Sequence, residues 1–197
     1  MKILDEVLKM DDISGENGRF VRVITAANGK KAFLRIYKDN HVYPYESQIS
    51  TALKTLLQEA PMVGFVTGHK ERSGMDMGEK GYGTFASNKT FRYSLENSGY
   101  GVREISLEHP VAEDINIIVL ADMRSDFTEE EFRNFDAYLE RGGNLFILGE
   151  PKRQQFMNPV IERLGLRFAD GIIVSPSEVN LDDLVAANIK EGAAKVS

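Results

Sequence analysis

The sequence predicts an α/β protein built on a doubly wound, mostly parallel sheet, and three observations carry that expectation. Residues 115–121 and 145–151 are nearly unbroken apolar runs, the pattern a strand needs when helices bury both of its faces. Between them lies a helix with a complete start and a complete stop. From Val63 onward, apolar strand candidates alternate with helical patterns, the order that builds a parallel sheet.

The helix of this central unit can be justified residue by residue. Thr128 is placed to cap it, and Glu131, three positions on, completes a capping box. Phe127 and Phe132 stand where a hydrophobic staple puts its two ends. Phe132, Phe135 and Leu139 recur at helical spacing and give one apolar stripe. Glu129, Glu130 and Glu131 in the first turn and Arg141 in the last both suit the helix dipole. Gly142-Gly143 ends the helix, because glycine accepts the left-handed conformation there. The result is a βαβ unit whose crossover should be right-handed.

The bulk properties exclude several function classes. At 197 residues the chain has room for one domain, or one domain and a small appendage. Its 42% hydrophobic and 27% charged content is ordinary for a globular protein. A net charge of -6 argues against a nucleic-acid partner, which would need a basic face. The absence of cysteine removes disulfides, thiolate metal ligands and cysteine nucleophiles together. No apolar run approaches the ~18 residues of a membrane span. Asp5 and Glu6 stand where a signal peptide would have its apolar core. A membrane-anchored parent protein remains compatible with all of this.

Taken in order, Ile3, Leu4, Val7 and Leu8 are spaced for a short amphipathic helix. Two β-rich runs, residues 20–24 and 32–37, flank Asn28-Gly29 and predict a hairpin. Residues 47–59 predict a helix with Ile49, Leu53, Leu56 and Leu57 on its apolar face, closed by Pro61. Tyr43-Pro44-Tyr45 reads as a packed turn joining two subregions. A short buried strand at residues 63–66 ends in a glycine turn, followed by a glycine-rich stretch over 73–83 expected to be a long, mobile surface loop. Residues 91–97 predict a helix stopped by Gly99, and residues 102–107 an edge strand. The link over 108–114 has room for a single turn. Asn158-Pro159 should start a short helix that Gly165 ends, and residues 172–174 should form a last buried strand. The strand order expected is the flavodoxin-like 2-1-3-4-5. The division follows as 1–60 for the helix, hairpin and linking helix, 61–175 for the flavodoxin-like domain, and 176–197 for a C-terminal segment.

In such sheets ligands bind at the carboxyl ends of strands. Three ends carry polar side chains: His69 with Lys70, Glu71 and Arg72; Asp122 with Arg124 and Ser125; Glu150 with Lys152 and Arg153. One imidazole and two carboxylates, His69, Asp122 and Glu150, suit a metal or acid–base chemistry if they converge. The basic residues suit an anion. The plainer alternative is that polar residues gather there because loops are wet, and no pair has the spacing of a metal motif. Residues 83–90 imitate a phosphate-binding loop, but Asn88 replaces its second glycine and no strand leads into it. A loop running into a helix is the better reading of that stretch.

Residues 63–69 (VGFVTGH), 127–131 (FTEEE) and 138–151 (YLERGGNLFILGEP) form an ordered series. Together they resemble the gliding-motility-type auxiliary family of ABC transporters, over about residues 48–174. Members of that family are membrane-anchored proteins with a large extracytoplasmic region, and the family's domain is similar to the class I glutamine-amidotransferase fold. The turns at residues 149–151 and 122–124, where an amidotransferase would carry its cysteine, hold none, and Ser125 has no histidine near it in sequence.

The resemblance therefore implies a non-catalytic, extracytoplasmic (periplasmic) domain of an inner-membrane protein, with no cofactor and no metal. The permease and ATPase subunits of the same system are the implied partners, and a small molecule or glycan is a possible ligand. It also implies that the hairpin region is the tail of a preceding subdomain and that membrane spans lie outside this sequence. The competing expectation is a hydrolase or metal-dependent enzyme using His69, Asp122 and Glu150.

Overall fold

In the computed structural model the described residues are 13, 16, 20–37, 39 and 41–176. The expected helix over residues 3–8 and the segment from 177 onward lie outside them. The chain divides into two compact units, Met1–Leu148 and Gly149–Ser197.

The first unit holds an antiparallel pair, β1 (Val21–Thr25) and β2 (Lys31–Arg35), then helix α1 (Glu46–Leu57). A parallel sheet follows, made of β3 (Met62–Val66), β4 (Gly101–Ile105), β5 (Ile115–Ala121) and β6 (Asn144–Leu148) in the order β4-β3-β5-β6. Helices α2 (Gly83–Ala86) and α3 (Glu129–Glu140) are inserted between strands. This is the flavodoxin-like arrangement 2-1-3-4, doubly wound, with a hairpin before it. Strand alternation divides the core. Val63, Phe65, Val119 and Ala121 pack with Ala86 on one side of the sheet. Ile118 and Leu120 alternate to the other side and are fully buried, as are Phe135 and Tyr138 of α3.

The central βαβ unit forms as its sequence requires. The Thr128 hydroxyl accepts the Glu131 backbone N–H at 3.2 Å, and the Glu131 carboxylate accepts the Thr128 N–H at 2.7 Å. The Phe127 and Phe132 rings meet edge to face at 5.4 Å. At the other end Gly142 takes φ 84°, and the N–H groups of Gly142 and Gly143 bond the carbonyls of Leu139 and Tyr138, a Schellman closure. A Cβ on Gly143 would lie 2.2 Å from the Tyr138 ring, so that glycine is required by close approach. The Tyr138 hydroxyl donates to the Asn144 carbonyl at 2.8 Å and ties the helix to the strand that follows it.

One irregularity interrupts the β3–β5 ladder between Met62 and Val63, where the register skips Asn116. The Asn116 side chain fills the gap by accepting the Met62 N–H at 2.7 Å. The donor left by the slip is thereby paired.

Several expectations need correction. The fifth strand at residues 172–174 does not form. Ile172, Ile173 and Val174 are 58%, 82% and 53% exposed, and an apolar run without a neighbour to pair with cannot hold a ladder. Helix α4 (Gln154–Ile161), in the second unit, starts a full turn before Asn158-Pro159. Pro159 is tolerated inside it because the Gln155 carbonyl it leaves unbonded belongs to an exposed residue. Residues 91–97 do not form a helix but a series of turns into a 3-10 segment, Glu96–Ser98, closed by Gly99 in the left-handed region. On α1 the buried residues are Ala52 and Leu56, while Ile49, Leu53 and Leu57 are 40%, 48% and 81% exposed. The apolar face of α1 is thus wider than the surface the hairpin offers it.

The glycine-rich stretch after β3 is tied down by its own backbone. Gly83 donates to the Asp76 carbonyl and Tyr82 to the Ser73 carbonyl, both at 2.8 Å. A Cβ on Gly81 or Gly83 would sit 2.1 Å or 2.5 Å from that Asp76 oxygen, so the glycines serve close packing. With the Gly83 N–H already bonded, the stretch that imitates a phosphate loop lacks a free cradle at its first glycine.

The hairpin region is joined to the parallel sheet's connections by two guanidiniums, one buried and one half-buried. Arg92, 6% exposed, lies between the Tyr37 and Tyr45 rings at 4.6 Å and 4.5 Å and makes two 2.7 Å bonds to the Asp39 carboxylate. Tyr45 thus packs in the joining turn as expected, whereas Tyr43 is exposed. Arg35 similarly joins Glu16 at 2.7 Å and 2.8 Å to Asn97 at 2.9 Å.

Two predictions follow from these ties. Thr128→Ala should lower the unfolding free energy by about 1 kcal/mol in urea titration, the usual worth of a helix cap. The Arg92 hydrogen bonds hold the Asp39 carboxyl down at about 2 from its ordinary 3.8. A depressed acid contributes stability above its unfolded value and loses it as pH falls through the folded one. The gap in urea midpoint between the wild type and Asp39→Asn should therefore stay constant from neutral pH to about 4 and close as pH approaches about 2.

Candidate functional site

The carboxyl ends of β3 and β5 do not simply splay into loops. The Arg72 N–H donates to the Ala121 carbonyl, and the Arg124 N–H donates to the His69 carbonyl, each at 2.9 Å. Asp122 donates to the Leu148 carbonyl at 2.8 Å. The backbone pairing of the sheet thus continues past the strands and carries the polar side chains of both turns under cover. The path needs unusual dihedrals: Gly68, Lys70 and Asp122 have φ 124°, 58° and 55°. Left-handed conformations at residues with a Cβ are uncommon and gather at functional sites.

Five of the residues singled out from the sequence meet here: His69, Glu71, Arg72, Asp122 and Arg124. They divide into two groups. In the first, Asp122, 1% exposed, accepts from Arg124 at 2.9 Å and has the Arg72 Nε at 3.8 Å. A buried carboxylate of this kind needs its cations. One carboxylate thus faces two guanidiniums, that of Arg72 at the edge of ion-pair distance. In the second group the His69 ring, 6% exposed, stands between two glutamates. Its Nδ1 is 3.3 Å from Glu71 Oε1, and its Nε2 is 3.3 Å from Glu131 Oε2. The Phe127 ring meets His69 edge-on at 4.9 Å. Glu71 also accepts the His69 backbone N–H at 2.6 Å.

Burial pushes the Glu71 carboxyl up from its ordinary value, and hydrogen bonds from its own backbone N–H and that of His69 offset this only in part. Burial acts on Glu131 in the same sense, but the Thr128 N–H and hydroxyl and the His69 ring outweigh it and hold that carboxyl low. Glu131 is the residue sequence reasoning missed. Its capping role was legible, but its second contact, with a histidine on another strand's end, leaves no local signal.

The remaining candidates lie elsewhere. Ser125 follows on the β5 turn, half-buried. Lys70 is exposed. Glu150, Lys152 and Arg153 belong to the second unit, where they form the turn into α4: Lys152 has φ 67° and Arg153 is the residue before the helix. The triad on which an enzymatic reading depends is not assembled in the first unit, because His69 faces Glu71 and Glu131 while Asp122 faces arginines. Among the described residues no group of three His, Cys, Asp or Glu could hold a metal ion, and the chain has no cysteine. What the rim does is hold charge in fixed and largely covered positions.

A second surface lies on the α2 side of the sheet. An open apolar groove of about 410 Å³ is lined by Val63, Phe85, Tyr100, Ile117, Val119 and Phe146. Phe146, on the edge strand β6, is 48% exposed.

The Asp122 group sets a test of how the rim is held. Asp122→Ala should cost about 3 kcal/mol of stability in chemical denaturation, since breaking a buried ion pair strands its partners. Asp122→Asn should cost less, because asparagine accepts the positive φ and keeps one acceptor.

Residues 60–187 match the model of a family, ABC_transp_aux, described as an ABC-type uncharacterized transport system. Comparison with curated proteins gives no match. The family match takes in the whole parallel sheet and its rim. It spans well over half of the 197 residues, and on that ground the chain belongs to this auxiliary family of ABC-type transport systems.

Proposed function

We propose that the protein is a non-catalytic module of an ABC-type transport system that binds a ligand or partner protein at the strand-end rim and couples it to the permease. Family membership is the observation that carries the reading. A rim whose charged groups are held in ion pairs, in a chain without cysteine and with no metal-binding cluster among the described residues, supports a non-enzymatic role. The finer form of the proposal follows from the motif series. The module stands outside the cytoplasm in the periplasm, carried by a membrane-anchored parent of the gliding-motility type. Its partners are the permease and ATPase subunits of the same system, and its ligand is a small molecule or glycan.

No helix among the described residues is long and apolar enough to cross a membrane, so this reading requires membrane spans or a permease encoded beside or beyond the chain. The test has two arms. The full reading frame and its neighbours should encode such spans, and an alkaline phosphatase fused after Pro176 in that frame should be active, since the enzyme matures only outside the cytoplasm. An inactive but stably expressed fusion, or neighbours with no transport component, overturns the reading. Lys70 is exposed on the rim, and Lys70→Glu should weaken capture of the permease several-fold, mostly through the association rate.

A further inference from the structure

A neutral imidazole has one N–H and one lone pair. Between Glu71 and Glu131 that is the wrong complement. Whichever tautomer forms, a lone pair points at a carboxylate whose side chain is 2% or 5% exposed. The contact is sound only with one more proton in the cluster, held either by the imidazole, which then donates both ways, or by Glu71, which then donates to Nδ1. The geometry fits a shared proton of this kind. His69 Nδ1 and Glu71 Oε1 face each other at 3.3 Å, and both are buried without a well-aligned hydrogen bond. Burial raises the Glu71 carboxyl. A raised acid contributes stability at low pH and loses it as pH climbs through its folded value.

The charged groups around the ring lie on three elements. Its own turn supplies Glu71, with Lys70 and Arg72 adjacent in sequence. The start of α3 supplies Glu131, with Glu129 and Glu130 exposed beside it. The segment after β5 supplies Asp122 and Arg124, which are paired with each other, and the exposed Asp126. Phe127 closes the remaining side with an apolar edge. Among the described residues, Glu71 and Glu131 are the ionisable side chains within ion-pair distance of the ring.

We propose that Glu71, His69 and Glu131 form a proton-operated latch: with the extra proton the turn over residues 68–72 is held against the N-terminus of α3, and when the proton leaves, that turn releases. Release relieves a left-handed non-glycine residue, Lys70, and opens the Arg72 and Arg124 amide bonds that span the two turns. The interconversion is a proton dissociation, and the proton goes to solvent. Its apparent midpoint belongs to the three groups together. The latch stands on its own geometry, and only its consequence for ligand access rests on the transport reading.

Amide hydrogen exchange of the whole chain, without a partner, reads the latch directly. The Arg72 and Arg124 amides donate across the two turns. Corrected for intrinsic rates, their protection should fall at least about ten-fold as pH rises from about 5 to about 9, while amides of β5 stay protected. In His69→Gln the protection should be independent of pH, and in Glu71→Gln the fall should be displaced or reduced. Should His69→Gln fail to fold, Glu71→Gln and the wild type still decide the matter. A flat wild-type profile, or a His69→Gln profile that keeps the wild-type fall, overturns the latch. Neither outcome bears on whether the chain couples to a permease.

Discussion

The rest of the structure depends on the backbone of β5 beyond its last side chain in the core. A parallel strand buried on both faces leaves donors and acceptors at its carboxyl end, and a buried orphan costs as much as a lost hydrogen bond. Here the turn after β3 supplies the Arg72 N–H to Ala121, and the turn after β5 supplies the Arg124 N–H to His69. The two turns therefore fold as one object. Their side chains are dragged out of water with them, and each must find a partner: Asp122 its arginines, His69 its glutamates. The ion pairs of the rim are a consequence of where the sheet ends.

That chain of dependence separates what was legible in the sequence from what was not. The βαβ unit from Ile115 to Leu148 was legible because its signals are local and agree. The strands are apolar runs, the cap and staple lie within six residues, and two glycines mark the stop. The hairpin was legible for the same reason, with Gly29 at φ 81° between the two strands. The rim was legible as a place and as five of its residues, since strand ends are fixed once the strands are. Its pairing was not, because His69 and Glu131 are far apart in sequence and nothing near either one names the other. The misread segment at residues 172–174 shows the reverse error. Its β-branched residues have the right propensity, yet propensity reports fit to a pleated surface, and no strand is paired with them.

Helix α1 shows a subtler limit of pattern reading. Its spacing identified a helix, and Leu56 is indeed buried, but the stripe runs past the hairpin so that Ile49 and Leu53 stay half in water. A two-stranded hairpin is a narrow support. To that apolar contact are added two guanidiniums, Arg92 and Arg35, each surrounded by partners from different segments. Arginine suits the task because its planar fork keeps its charge while stacking on rings, here Tyr37 and Tyr45.

Glu131 brings these themes to one atom. Its Oε2 accepts the Thr128 N–H that opens α3 and also faces the His69 ring from the end of β3. A helix start and a strand end thus share one acceptor, so neither is independent of the other. Without His69 the carboxylate would still cap the helix, but it would do so buried and with less to offset its charge. Without the cap, the carboxylate would lack the backbone bond that fixes its position beside the ring. The β3 turn and the α3 start should therefore respond together to anything that touches either, including a ligand at the rim. A module that relays binding to a partner needs such coupling between surface and scaffold.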